Sequence, residues 1–213
     1  MIVNKPEAVH LPAIAECHRK AFPRALSSAM GQSYVEKMLE WYLVDPRAFL
    51  FFYEDNGSCV GYCGGLLVDG KTAVGSASSM IQYSFNAAVR AIVSRPWLLM
   101  HVEFRKKYRL AFKNVWRKGR AWLGAPVKPS TPSVEVRPHT GLIVIGVDPG
   151  RQGEGIGSQL LVEFEHQSFS RGYGKMILTV RSDNKTAISA YTRNGWTVTS
   201  ETHGSTTMEK IIG

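Results

Sequence analysis

Apolar residues recur along this chain with two alternating periods, and the switches between them predict an order of elements. Residues 1–4 form a short strand. Val9, Ile14, Cys17, Ala21 and Phe22 then recur at roughly helical spacing over residues 7–22. The run "SSAMGQSYVEKMLEWYLV" (27–44) predicts a second helix with Tyr34, Met38, Trp41 and Tyr42 on one face. "AFLFFYED" (48–55) is short, apolar and aromatic, as a strand is. Asn56-Gly57 is a strong hairpin signal and joins it to "SCVGYCGGLLV" (58–68).

Residues 71–130 break this rhythm. Their pattern is helical, interrupted at Pro96, and ends in the Pro-rich "PVKPSTPS". We read two helices inserted between sheet strands. From 134 the order is again clear. A strand region covers 134–148, a helix 154–171 stopping at Gly172, a strand 175–182, and a helix 183–194 stopping at Gly195. A hairpin around His203-Gly204 closes the sequence. The unit 140–182 is expected to be a right-handed parallel crossover within a mostly antiparallel sheet.

Composition narrows the class. The sequence has 213 residues, 44% hydrophobic, enough for one domain with a full core. No charged segment followed by an apolar one opens the sequence, and no run of about 18 apolar residues occurs, so neither a signal peptide nor a membrane span is expected. Three cysteines (Cys17, Cys59, Cys63) suggest reduced thiols and a cytoplasmic setting. Cys59 and Cys63 have no histidine beside them and read as core thiols, so no metal is expected. The net charge is +9 and uneven, because residues 90–120 carry ten cations against one acid, Glu103. Interleaved with aromatic residues, this basic insert implies an anionic partner: a nucleotide phosphate, nucleic acid or an anionic membrane surface.

The densest chemistry lies in "VDPGRQGEGIGSQL" (147–160). Its glycines have neither the G-x-G-x-x-G spacing of a dinucleotide fingerprint nor the G-K-[ST] of a triphosphate loop. Bare amides at a helix start still suit a diphosphate. Val147-Asp148-Pro149 followed by Gln152-Gly153-Glu154-Gly155-Ile156-Gly157 resembles the pyrophosphate-binding segment of the GNAT superfamily, the acetyl-CoA-dependent N-acetyltransferases. Downstream, Asn184, Ala187, Ile188, Tyr191, Gly195 and Trp196 match that family's following helix. Both motifs stand in the right order and cover about residues 139–200.

The resemblance implies one α+β acetyltransferase domain over 1–213. It has a mixed, mostly antiparallel central sheet with a splayed parallel pair at the cofactor site, flanked by helices. Acetyl-CoA would be the co-substrate, with backbone near Ile145 and Val147 meeting its pantetheine arm and amides of Gln152 to Ser158 meeting its pyrophosphate. Glu154 is odd there, since an acid near a diphosphate is unfavourable unless it turns to solvent. Asn184 and Tyr191 are seven residues apart, nearly two turns, and so share a helix face with Ala187. Tyr191 would donate a proton to the departing thiolate.

Many members of the family carry a glutamate base at the position aligned with Gly141, which has no side chain to serve. His139 and Glu135 share its strand parity, and histidine changes charge near neutral pH, so His139 is the candidate base or substrate contact. The acceptor is expected to be an amino sugar on a nucleotide or lipid carrier. The stretch "AFPRALSSAMGQSYVEKMLEWYL" with its basic insert resembles members found with bacterial surface-polysaccharide biosynthesis. Arg105, Lys106, Arg109, Glu135 and Arg181 are the substrate-binding candidates. The alternatives are a protein, peptide or ribosomal-protein amine, and a polyamine or antibiotic, which the positive charge disfavours. Nucleic acid is not the expected partner. The insert would also hold the protein at the inner membrane face, through Trp97, Leu98 and Phe104, and the C-terminal hairpin or the insert offers a surface for a homodimer.

Overall fold

The computed structural model describes residues 1–3, 5–69, 76–101, 137–202 and 204–212. After β1 (Ile2–Val3) and a 3-10 turn come α1 (Leu11–Ala21), α2 (Leu26–Met30) and α3 (Gln32–Val44). The hairpin β2 (Ala48–Asp55) and β3 (Ser58–Val68) follows, then α4 (Ser76–Tyr83) and α5 (Phe85–Ser94). The second half holds β4 (His139–Val147), α6 (Ile156–Phe169), β5 (Lys175–Arg181), α7 (Lys185–Arg193), β6 (Thr197–Thr202) and β7 (Ser205–Ile211). The strands form one seven-stranded sheet in the order β1-β2-β3-β4-β5-β7-β6. Every pair is antiparallel except β4 with β5. The expected mixed sheet and its single parallel pair are present.

Two cores explain why β2 and β3 read as unbroken apolar runs: strands covered on both faces do not alternate. On one face Leu50, Phe52 and Tyr62 pack with Ile14 and Cys17 of α1 and Leu39 of α3. On the other, Phe51, Cys63 and Met176 pack with Leu160 and Phe164 of α6 and with Trp196. The Asn56-Gly57 turn has both residues at positive φ, 48° and 74°, as its sequence predicts. Glycines at 64 and 65 let two aromatic rings reach β3. A Cβ on Gly64 would lie 2.7 Å from the Tyr42 ring, and one on Gly65 would lie 2.3 Å from Phe49.

Several sequence expectations change. The helix predicted over 27–44 is two helices, broken where Gly31 takes φ 97°. Arg95 donates to the Met30 carbonyl at 2.7 Å there and occupies the space a side chain at 31 would need. Cys59 and Cys63 are buried free thiols, but on opposite faces, because a bulge in β3 beside Tyr53/Glu54 resets the alternation. The strand at 134–148 begins at His139 among the described residues. Of the insert, α4, α5 and a 3-10 turn that starts at Pro96 are described, so the interruption falls where the proline predicts. Leu98, expected at a membrane contact, is instead buried with Met30 and Ala91. Phe104, Arg105, Lys106, Arg109 and Glu135 lie outside the described residues.

Candidate active site

β4 and β5 pair over only three rungs: Thr140–Met176, Gly141–Ile177 and Leu142–Leu178. Beyond Leu142 they part, while β5 stays paired to β7 along its whole length. At the same point β4 bulges. Gly64 of β3 faces Val144 and Gly65 faces Leu142, leaving Ile143 as the extra residue. After the bulge, Ile145 and Val147 turn toward the α6 face, and Gly146 turns toward Phe22 and Tyr62.

A cleft of about 600 Å³ occupies the gap. One wall is the end of β4, the loop 151–155 and the first turn of α6. The other wall is α7, and Ala21 and Phe22 of α1 close one end. Asp148 sets the loop by accepting the Gly150 N–H at 2.9 Å. Gly153 and Gly155 then take φ 90° and 81°, with nothing within 4 Å of where a Cβ would stand. Gly155 is the N-cap of α6, and no side chain caps that end. The first bond of the loop–helix junction runs from the Gln159 N–H to the Gly155 carbonyl at 3.0 Å, so the amides before it have no helical acceptor. A fourteen-residue helix thus presents bare, partially positive N–H groups to a cleft with glycines in front of them. These residues fit a diphosphate.

Of the twelve cofactor residues predicted, eleven line the cleft: Ile145, Val147, Gln152, Gly153, Gly155, Ile156, Gly157, Ser158, Asn184, Ala187 and Tyr191. Glu154 does not. The Arg151 guanidinium takes its carboxylate through two 2.8 Å bonds and also reaches Asp55 at 2.7 Å. The same arginine holds the Glu154 carboxyl below the ordinary carboxylate range. An acid is tolerated in this loop because it faces an arginine rather than the amides.

On α7, Asn184 accepts the Ala187 N–H at 3.1 Å and caps the helix. Tyr191 projects from the same face, its ring against Trp196 at 6.1 Å between centroids. Its hydroxyl donates to no described residue. Burial, with a smaller effect of Cys63, pushes it up to about 12, so it keeps its proton at neutral pH. Asn194 spans the two walls, donating to the Ala190 carbonyl at 2.8 Å and to Ser158 Oγ at 3.3 Å.

His139 is not among the lining residues. It opens β4 opposite Val68, on the same strand parity as Gly141. Its Nδ1 lies 2.9 Å from the Arg137 carbonyl. A carbonyl only accepts, so Nδ1 carries the hydrogen and Nε2 is left as the acceptor of a neutral ring. Arg181 is also apart from the cleft, beside a shallow hollow with Ser182 and Gly204, and is paired with Asp183 at 2.5 Å.

Sequence reasoning missed Ala21, Phe22, Gly146, Arg151, Leu161, Thr186, Ala190, Arg193 and Asn194. Asn194 was within reach, since it continues the 184–187–191 helical row. Phe22 carries no local sign of its role.

Comparison with known proteins agrees with this geometry. Residues 116–196 match the profile of the Acetyltransferase (GNAT) family. The chain is 39% identical over 66 residues to the mycothiol acetyltransferase of Nocardioides sp., covering 31% of this chain and 21% of that protein. It is 46% identical over 66 residues to the N-alpha-acetyltransferase RimI of Mycobacterium tuberculosis, covering 31% and 37%. Each match therefore spans well under two thirds of the relative. Among solved structures, the ribosomal-protein-S18-alanine N-acetyltransferase of Escherichia coli superposes with a TM-score of 0.55 at 17% identity, covering 100% of this chain and 93% of that one. The PaiA N-acetyltransferase of Thermoplasma acidophilum, solved with coenzyme A, gives 0.57 at 12% identity, covering 99% and 98%. The matched segment, well under half of the chain, is similar to the GNAT family, and the fold as a whole is the one these acetyltransferase structures share.

Proposed function

We propose that the chain is an acetyl-CoA-dependent N-acetyltransferase that moves the acetyl group directly to a primary amine. The observation that carries this reading is the glycine-fronted, uncapped start of α6 opening onto the gap between β4 and β5, with the Tyr191 hydroxyl on the facing wall. Acetyl-CoA, when bound, supplies the activated thioester. Amides from Gln152 to Ser158 would hold the diphosphate, and the unpaired edge of β4 at Ile145 and Val147 would meet the amides of the pantetheine arm. The amine nitrogen forms its bond to the acetyl carbon as the carbon–sulfur bond breaks. Tyr191 gives its proton to the sulfur, and the proton lost by the amine goes to a base. His139 is that base in our reading, through Nε2, with acceptor or water bridging from the cleft.

For the acceptor we propose a protein or peptide amine. Support comes from the relatives named for N-alpha and ribosomal-protein acetylation. A second reading, an acceptor of the kind the mycothiol acetyltransferases are named for, is favoured by relatives from several species. The amino sugar on a nucleotide or lipid carrier has no counterpart among these names. Release of free thiol from acetyl-CoA, measured against N-terminal peptides, amino sugars and polyamines, tests both levels. Turnover with peptides alone supports the proposal. No thiol release with any amine would overturn the activity.

A further inference from the structure

α7, which carries Tyr191, is the more lightly held wall of the cleft. None of its nine residues is fully buried, whereas α6 buries Ile156, Leu160, Leu161, Phe164 and Ser168. Ile188 and Tyr191 pack on the core and stay partly exposed. A short helix takes its place from packing rather than from propensity, so what fastens the ends of α7 decides where Tyr191 stands.

The C-terminal end is fastened by a residue that the strand pattern does not call for. β7 puts Thr206 and Met208, both fully buried, on one face, and Met208 packs there with Phe164 of α6. Lys210 is next on that face. A lysine in such a place needs a partner. Its ammonium donates to Glu165 of α6 at 2.5 Å and to the Asn194 carbonyl at 2.8 Å, with both charged side chains 20% exposed. Asn194 is the C-cap of α7, where a helix leaves carbonyls unbonded and favours a cation. Glu165 lies one turn beyond Leu161, which lines the cleft. One ammonium thus ties the end of the Tyr191 helix to the helix whose start faces the cleft.

We propose that Lys210 is a positioning residue for Tyr191, an inference that rests on the acetyltransferase reading. By holding the Asn194 carbonyl against Glu165, it fixes α7 relative to α6. The Tyr191 hydroxyl, one turn back along α7, is thereby set at the place where the departing sulfur needs a proton. A displacement of about 1 Å at a reacting centre is enough to cost a large part of the rate.

The test is the double variant Lys210→Met with Glu165→Gln, which removes both bonds and leaves no charge unpaired. In hydrogen–deuterium exchange of the free protein, the Asn194, Gly195 and Trp196 amides are bonded to carbonyls of α7 in the wild type. They should exchange about tenfold faster in the variant, with α6 unaffected. In thiol release from acetyl-CoA with an alanine-initiated peptide, kcat should fall roughly tenfold while the Michaelis constant for acetyl-CoA stays within about threefold. In the Tyr191→Phe background the same change should lower kcat by less than about twofold. Glu165→Gln alone leaves the ammonium on the Asn194 carbonyl and should lose less than the double variant. Unchanged exchange at 194–196 would overturn the clamp, and that readout needs no turnover. Equal losses of kcat in both backgrounds, or a loss carried by the Michaelis constant alone, would make Lys210 a residue of the fold and overturn its positioning of Tyr191. A loss in Glu165→Gln as large as the double variant's would overturn the part given to the carbonyl. A wild type that releases no thiol would strike the acetyltransferase reading instead.

Discussion

Tyr191 combines three properties that a proton donor to a thiolate needs: a position in the cleft, a hydroxyl with no hydrogen-bond partner among the described residues, and a proton retained at neutral pH. Tyr191→Phe should lower turnover by roughly a hundredfold or more while the Michaelis constant for acetyl-CoA stays within about twofold. Steady-state kinetics reads both. Equal losses in the two constants would assign Tyr191 to packing. His139→Ala should lower turnover by roughly a hundredfold, and unchanged turnover would exclude it as the base. His18 offers a separate pH signature, this time in stability. Its imidazole is nearly buried between Tyr62, at 2.5 Å, and Ser27, at 2.8 Å, and burial pushes it down to about 4. The unfolded chain therefore takes up a proton near pH 6.5 that the folded chain refuses. Stability is full well above that pH and falls as pH drops through it, by about 1.6 kcal/mol between pH 6.5 and 5. Chemical denaturation across that range should show the fall, and His18→Gln should flatten it.

Elements place these residues through close contacts, and not all of those contacts leave a trace in sequence. The β2–β3 hairpin, the α6 and α7 helices and the cleft-facing row of α7 were legible, because Asn-Gly, Asn caps and glycine stops are local signals. The 27–44 break was not, since it depends on Arg95 reaching back sixty-five residues to Met30. Phe22 was also hidden: its place at the cleft follows from how α1 crosses Gly146, a tertiary fact. The bulge at Ile143 is a pairing offset and cannot be read from one strand alone. Gly65 makes the same point through packing. Gly65→Ala would drive a methyl into Phe49 and Phe164, and the expected loss is about 1–3 kcal/mol. Thermal melting measures it. Asn184→Ala, which removes only a cap, should cost about 1 kcal/mol.

At the scale of the molecule, the cleft is the feature through which a ligand can act on the whole fold. Coenzyme A should raise the melting temperature, because a ligand bound only to the folded state adds stability in proportion to the logarithm of its concentration over its dissociation constant. Gly155→Ala forces a side chain to φ 81°, costs about 1–2 kcal/mol, and should shrink that rise.

The three-rung contact between β4 and β5 has a consequence for motion. It makes the sheet two panels, β1–β4 and β5–β7, joined by a short seam and by helices lying across it. Backbone amides of β4 beyond Leu142 that turn away from β3 have no strand to hold them. In hydrogen–deuterium exchange they should trade their protons quickly in the free protein and slowly once coenzyme A bridges the panels. The donor would then act as a removable strand, stiffening the scaffold for the duration of each catalytic cycle and releasing it when the spent thiol leaves.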